Sequence, residues 1–123
     1  MPPADFEASI RFLTPEEGGR LTPVRQGYLP TFNYSVNDPE GDYIICLELL
    51  NQVGREPLHA DTEVPQGAEV CARIGFLNDD LRRRVHRSRI QVGLMFNLRE
   101  GFQVVAVGTV TKIMHLFDDR PKS

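Results

Sequence analysis

Apolar and polar residues alternate with period two over several short stretches of this chain. In FEASIRF, Phe6, Ala8, Ile10 and Phe12 fall on one side and Glu7, Ser9 and Arg11 on the other, the pattern of a half-buried strand. PTFNYSV repeats it, with Phe32, Tyr34 and Val36 set against Asn33 and Ser35. YIICLELL (Tyr43 to Leu50) is dense in β-branched and apolar residues and reads as a third strand. AEVCARIGFL puts Val70, Ala72, Ile74 and Phe76 on one face, a fourth. From Ile90 to Met114 the chain reads as a hairpin. One arm runs to Arg99, the turn falls at Glu100-Gly101, and the second arm returns from Phe102. Gly101 supplies the positive φ of a tight turn. Gly93 and Gly108 mark bulges or bends.

The stretches between are connections. TPEEGGRLTPVRQGYLP (Thr14 to Pro30), NDPEGD (Asn37 to Asp42) and NQVGREPLHADTEVPQG, with Gly54, Pro57, Pro65 and Gly67, are rich in turn residues. NDDLRRRVHRSR reads as an irregular connection rather than a helix. Leu81 and Val85 are spaced i, i+4 but two apolar residues do not make a face. A short helical turn capped by Asn78 or Asp79 is the competing reading. About six strands with almost no helix predict an all-β fold, a six-stranded closed antiparallel β-barrel, which removes sheet edges. At 123 residues the expectation is one domain over 1–123, with DDRPKS (118–123) a frayed tail.

Composition narrows the function classes. Seventeen acids against 14 bases give a net charge of −3, which argues against a nonspecific nucleic-acid binder relying on bulk charge. Twelve of the 14 bases are arginine, and five of those fall within Arg82 to Arg89. That cluster is a candidate for RNA phosphates or an acidic protein patch. Cys46 and Cys71 sit in apolar strands and read as buried residues, not as a disulfide or metal pair. His59, His86 and His115 lack metal-ligand spacing, so no metal is expected. No apolar run approaches the roughly 18 residues that span a bilayer, and the N-terminus reads as no secretory signal. A cytoplasmic protein with no membrane contact is expected. G-x-x-x-x-G-K-[ST] does not occur, no cofactor motif is present, and no nucleophile–base spacing stands out. These features point away from an enzyme.

Two motifs carry a family resemblance. Glu16-Glu17-Gly18-Gly19-Arg20-Leu21-Thr22-Pro23 followed by Gly27-Tyr28-Leu29-Pro30-Thr31-Phe32 resembles the E-E-G-G-R-H-T-P and G-Y-R-P-Q-F segments that open the C-terminal domain of elongation factor Tu. GLMFNLREGFQVVAVGTVTKI, with Gly93, Leu94, Phe96, Arg99, Glu100, Gly101, Val104 and Gly108 as anchors, resembles that family's closing hairpin. The likeness covers about half the chain, at both ends and in order. It implies a six-stranded antiparallel barrel that does no chemistry itself. Such a barrel packs against a GTP-binding domain and a middle barrel, and contacts the T stem of tRNA and the exchange factor. By the same resemblance Arg20 matches a phosphate-contacting arginine, and Glu100 and Gly101 match the turn that approaches the tRNA backbone. Leu21 replaces the family's His, Thr31 replaces a Gln, and Glu40 stands where Thr is common; an acid there repels phosphate. Both a stand-alone relative and a piece of a longer chain fit. Met1 directly before a strand and a polar C-terminal end favour the former.

The candidate contact set for RNA or a partner is therefore Arg20, Glu100, Gly101, Arg82, Arg83, Arg84, Arg87 and Arg89. Each has an alternative reading. Gly18-Gly19-Arg20 is either an anion nest or loop scaffold with unusual backbone angles. Arg20 either contacts phosphate or pairs internally with Glu16, Glu17 or Glu100. The Arg82–Arg89 run is either a ligand patch or a solvated loop balanced by Asp79 and Asp80. Tyr28 reads as a barrel-rim aromatic with a hydrogen-bonded hydroxyl. The expectation is a noncatalytic binding module tied to translation, contacting a protein partner or the tRNA/RNA backbone. A protein-interaction or homodimerisation module unrelated to translation is the alternative.

Overall fold

The computed structural model describes residues 2–38, 41–53 and 55–121. The expectations placed on Glu40, on Gly54, and on Lys122 and Ser123 at the end of the tail lie outside the described residues. Among the described residues eight strands are formed: β1 (Phe6–Phe12), β2 (Val24–Arg25), β3 (Thr31–Asn33), β4 (Tyr43–Leu50), β5 (Glu63–Val64), β6 (Glu69–Phe76), β7 (Met95–Glu100) and β8 (Gln103–Ile113). Six of them close an antiparallel barrel in the order β1-β6-β4-β3-β7-β8, while β2 and β5 pair in a small separate ribbon. The predicted all-β barrel is the observed fold.

Period-two patterning puts one side of each strand inside. Phe6, Ala8, Ile10 and Phe12 of β1 meet Ile45, Leu47 and Leu49 of β4, Ala72, Ile74 and Phe76 of β6, and Phe96 and Leu98 of β7 in one buried cluster. Phe32 lies 4.8 Å from Phe96 and 5.2 Å from Phe76, ring centre to ring centre. Such pairs add about 0.5–1.5 kcal/mol each beyond the area they bury. Gly108 is not a bulge. A Cβ there would lie 2.4 Å from Phe96 Cζ, so the glycine gives this ring its place. The irregularities instead fall at Leu98/Arg99 and at Glu7/Ala8.

The register sets the two ends of the barrel. At the Phe6 end, β1 faces Ile74 and Ile113; at the other, Phe12 pairs with Ala106 and Arg11 with Glu69. The β7–β8 turn and the 14–30 connection lie at the Phe12 end, where Gln103 Nε2 donates to the carbonyls of Gly18 and Gly19 at 2.9 and 3.0 Å.

Several local expectations are corrected. The strand expected over PTFNYSV ends at Asn33, because the chain turns with Asp38 N–H donating to Ser35 O; Tyr34 stays buried while Val36 is exposed. The hairpin arm starts at Met95, since Ile90 still donates to His86 O and Gly93 turns at φ 94°. Glu100 pairs with Gln103, so the turn residues are Gly101 and Phe102 rather than Glu100 and Gly101. Cys46 and Cys71 are free thiols, only half-buried, on the outer face of β4 and β6.

Segment 79–89 is helical: α-helix over Asp79–Leu81, π-helix over Arg82–His86, α-helix over Arg87–Arg89. Asn78 caps it by accepting from Leu81 N–H at 3.0 Å. The residues it buries fully are Arg82 and His86, so a pattern search for apolar residues passes over its inner face. The expected frayed tail is tied down as far as Arg120, which donates to Phe76 O at 2.6 Å and pairs with Asp5 at 3.1 Å.

Candidate interaction surface

Loop 14–23 is built as scaffold. The 3₁₀ turn Pro15–Glu17 closes on Gly18 at φ 89°. The Gly18 and Gly19 amides donate to Pro15 O and Thr14 O at 3.0 and 2.9 Å. Both are spent on the loop, so the anion-nest reading fails. A Cβ on Gly19 would sit 2.2 Å from Leu13 O. Gln66 Nε2 ties the loop down further, donating to Leu13 O and Arg20 O at 3.0 and 2.6 Å. Glu17 accepts from Arg11 at 2.7 Å and from Thr14 N–H at 3.0 Å. The Arg11 bond, then the Thr14 amide, hold its carboxyl down at about 2.

Arg20, Tyr28 and Glu100 converge on this rim. Arg20 Nη1 and the Tyr28 hydroxyl both donate to the same Glu100 oxygen, Tyr28 at 2.7 Å. The Arg20 guanidinium lies 5.1 Å from the Tyr28 ring centre and also reaches Thr22 O and Oγ1, each at 3.3 Å. The Tyr28 bond, then Arg20, hold the Glu100 carboxyl below its usual range. Burial, then Glu100, push the Tyr28 phenol up to about 12. Of the internal partners foreseen for Arg20, Glu100 is the one used. Next along the hairpin, Arg99 pairs with Asp42 at 3.3 Å and donates to Phe102 O at 3.3 Å. Thr31 is half-buried, with its hydroxyl 3.4 Å from Arg99 O. Around this core three large apolar side chains stand in solvent: Phe102 is 95% exposed, Leu21 87% and Leu29 78%.

The arginine run at the other end is used differently. Arg82 has no exposure. Its guanidinium donates to Asp79 at 2.9 Å, Asp5 at 3.3 Å, and the carbonyls of His115, Leu116 and Asp118 at 3.2, 2.8 and 2.9 Å. It is therefore out of reach of any ligand in this fold. Arg87 donates to Leu116 O at 2.8 Å and Asp118 O at 3.1 Å. Arg89 pairs with Asp38 at 3.1 Å and lies 3.7 Å from the Tyr34 ring centre. Arg84 pairs with Asp80 at 2.7 Å, and Arg83 approaches Asp119 at 3.8 Å. Arg83 and Arg84 are the more exposed members. Asp79 and Asp80 are held below the usual carboxylate range by Arg82 and Arg84 respectively.

His86 is buried beside this run, stacked on Phe76 with ring centres 3.5 Å apart and its Nδ1 2.5 Å from the Tyr34 hydroxyl. Burial, then the Arg89 charge, lower its pKa to about 4. A cavity of about 370 Å³ opens next to it between Ile44, Leu77 and Leu81. Its rim groups are already committed, Asp42 to Arg99 and Asn78 to the helix cap. Among the described residues no three His, Cys, Asp or Glu side chains are placed to hold a metal ion.

The structure thus brings Arg20, Glu100, Gly101, Gly18, Gly19 and Tyr28 together at one end and Arg82, Arg83, Arg84, Arg87 and Arg89 at the other. Sequence reasoning missed Phe102 and Leu29. The available signal was a large aromatic directly after a turn glycine, which alternation assigns to the returning arm. The family model for the elongation factor Tu C-terminal domain matches residues 1–114.

Proposed function

The chain belongs to the elongation factor Tu C-terminal domain family, and from that premise we propose that it is a noncatalytic binding module of translation. It acts in the cytoplasm by holding a macromolecular partner, a protein or the tRNA/RNA backbone. The observation that carries the reading is the convergence of Arg20, Tyr28 and Glu100 at the turn end of the β7–β8 hairpin. There a rigid, hydrogen-bonded platform supports exposed side chains, the arrangement a recognition surface needs. No chemistry is assigned to it: Glu100 and Tyr28 are shifted away from neutral pH, one down and one up, and neither is poised to exchange a proton there.

Recovery of partners on the tagged full-length chain from its native cell, with and without RNase, tests this. Partners that survive RNase support protein recognition. Partners lost on RNase treatment, with tRNA binding that weakens steeply as salt rises, support backbone recognition. Empty recovery in both arms, together with no tRNA binding at low salt, sinks the proposal.

A further inference from the structure

We propose that the cavity beside His86 is a binding site for a small uncharged two-ring aromatic molecule carrying one hydrogen-bond acceptor, which the Nε2–H of His86 receives. Its lining does not include Arg20, Tyr28 or Glu100, so it does not depend on the binding-module reading of the rim.

Three elements wall the cavity: Tyr43 and Ile44 of β4, Phe76 and Leu77 at the end of β6, and Leu81 and His86 of the 79–89 helix. Leu77 N–H donates to Ile44 O at 3.2 Å, so the two strand walls form one continuous surface. The helix wall depends on the π turn. Arg87 N–H donates to Arg82 O, five residues back, and residues five apart then lie about one turn apart. That brings Leu81 and His86 to the same cavity. Such turns inside helices are frequent at functional sites. Ile44 is 66% exposed and Leu77 47%, two large apolar side chains standing in water at the mouth. A concave, mostly apolar cavity with a few placed polar groups is the form that small-molecule sites take.

Size, charge and hydrogen bonding set the ligand. An apolar cavity of about 150 Å³ takes up benzene, so about 370 Å³ holds two fused rings. The rings of Tyr43, Phe76 and His86 in the walls suit a flat aromatic guest. Asp42 lines the cavity and is paired with Arg99 at 3.3 Å. Among the described residues no Lys or Arg lines it, so a carboxylate or phosphate would be buried without a partner. His86 is 1% exposed and, with its pKa lowered to about 4, neutral with one N–H. Its Nδ1 lies 2.5 Å from the Tyr34 hydroxyl. Burial raises the Tyr34 pKa, so the phenol keeps its proton and donates to Nδ1. The imidazole proton is then on Nε2. Phe76 covers one face of the ring, and among the described residues Tyr34, which holds Nδ1, is not part of the lining. The ring therefore turns its Nε2 edge to the cavity, where a ligand acceptor completes the donor.

The test titrates the full chain at neutral pH with three two-ring probes while the amide, methyl and imidazole-nitrogen NMR resonances are followed. Quinoline is uncharged there and offers a ring-nitrogen acceptor, indole offers an N–H donor, and quinaldate adds a carboxylate. The expected result is saturating shifts at Ile44, Leu77, Leu81 and the His86 Nε2 with quinoline. Quinoline should bind about threefold or more tighter than indole, the worth of one net hydrogen bond, and quinaldate should not bind. Leu77→Ser, at the half-exposed wall, should weaken quinoline binding without moving the melting temperature. His86→Phe, which keeps a ring against Phe76, should remove the preference for quinoline over indole. If that variant fails to fold, the quinoline and indole comparison on the unaltered chain decides. Indole binding as tightly as quinoline, quinaldate binding equally, no shift at the solubility limit of quinoline, or unsaturating shifts scattered over Leu21 and Phe102 would each overturn the proposal.

Discussion

At one end of the barrel the Arg82 guanidinium lies under the 79–89 helix with no exposure and donates to side chains and carbonyls from three parts of the chain. At the other end Arg20 is partly exposed and lies over Tyr28, bonded to a single carboxylate. Buried, an arginine closes a structure by satisfying the carbonyls of a tail that has no strand to pair with. On the rim it fixes a neighbouring tyrosine and glutamate so that the residues beside them point outward. The density of positive charge in a segment therefore says little about where a partner binds; what matters is which acceptors those charges already have.

Removing Arg82 breaks the inward-facing end most. Arg82→Met leaves Asp5 with only Arg120 among its two arginine partners and strips the donor from the His115, Leu116 and Asp118 carbonyls. A loss of about 3–5 kcal/mol is expected from breaking a buried ion pair by removing one partner, read as a shifted urea midpoint. Arg84→Ala, in an exposed pair with Asp80, should leave that midpoint where it is. An equal loss from both would mean the run behaves as one surface patch.

Gly19→Ala tests the rim as scaffold. The added methyl would stand 2.2 Å from Leu13 O, and moving loop backbone to clear it should cost about 2 kcal/mol. A melting temperature equal to that of the parent would show the loop to be adaptable.

Acid separates the two ends next. His86 has its pKa lowered from 6.5 to about 4 in the folded chain, so between those values the unfolded chain binds more protons. Stability therefore rises with pH across that window, is complete above 6.5, and is lost as pH falls toward 4, at up to about 1.4 kcal/mol per pH unit. His86→Gln, which can still bond Tyr34, should flatten the wild-type slope there. Identical slopes would place the titrating group elsewhere.

The smallest effect is expected at the rim. Glu100→Gln should leave stability nearly unchanged, since the pair with Arg20 is half in solvent. The Tyr28 phenol, now near 12, should titrate lower but still above its usual value, because burial is the larger cause of its shift. Ultraviolet titration of the phenolate reads this directly. An unmoved Tyr28 would show that Glu100 does not hold it.

Legibility in the sequence follows the same division. β1 and β4 have the bounds that alternation and β-branched density predict, because the barrel interior rewards those patterns alone. Tyr34 defeats the pattern by staying buried against His86 after its strand has ended. The 79–89 helix is opaque for a related reason: its inner face is an arginine and a histidine whose burial depends on Asp5, the tail carbonyls and an aromatic cluster distant in sequence. On the rim, the platform residues Arg20, Tyr28 and Glu100 are legible. The direction of Phe102 is not, since a shift of one residue in the turn decides whether it belongs to the arm or the tip.

The claim that the rim, and not the arginine helix, meets the partner is tested most directly by comparing two double variants in one recovery experiment from the native cell. Leu29→Ser with Phe102→Ser should reduce the recovered partner by about tenfold or more, as loss of an aromatic anchor does, while Arg83→Glu with Arg84→Glu should retain it. Loss of the partner from the helix variant, with full recovery on the rim variant, would contradict the account.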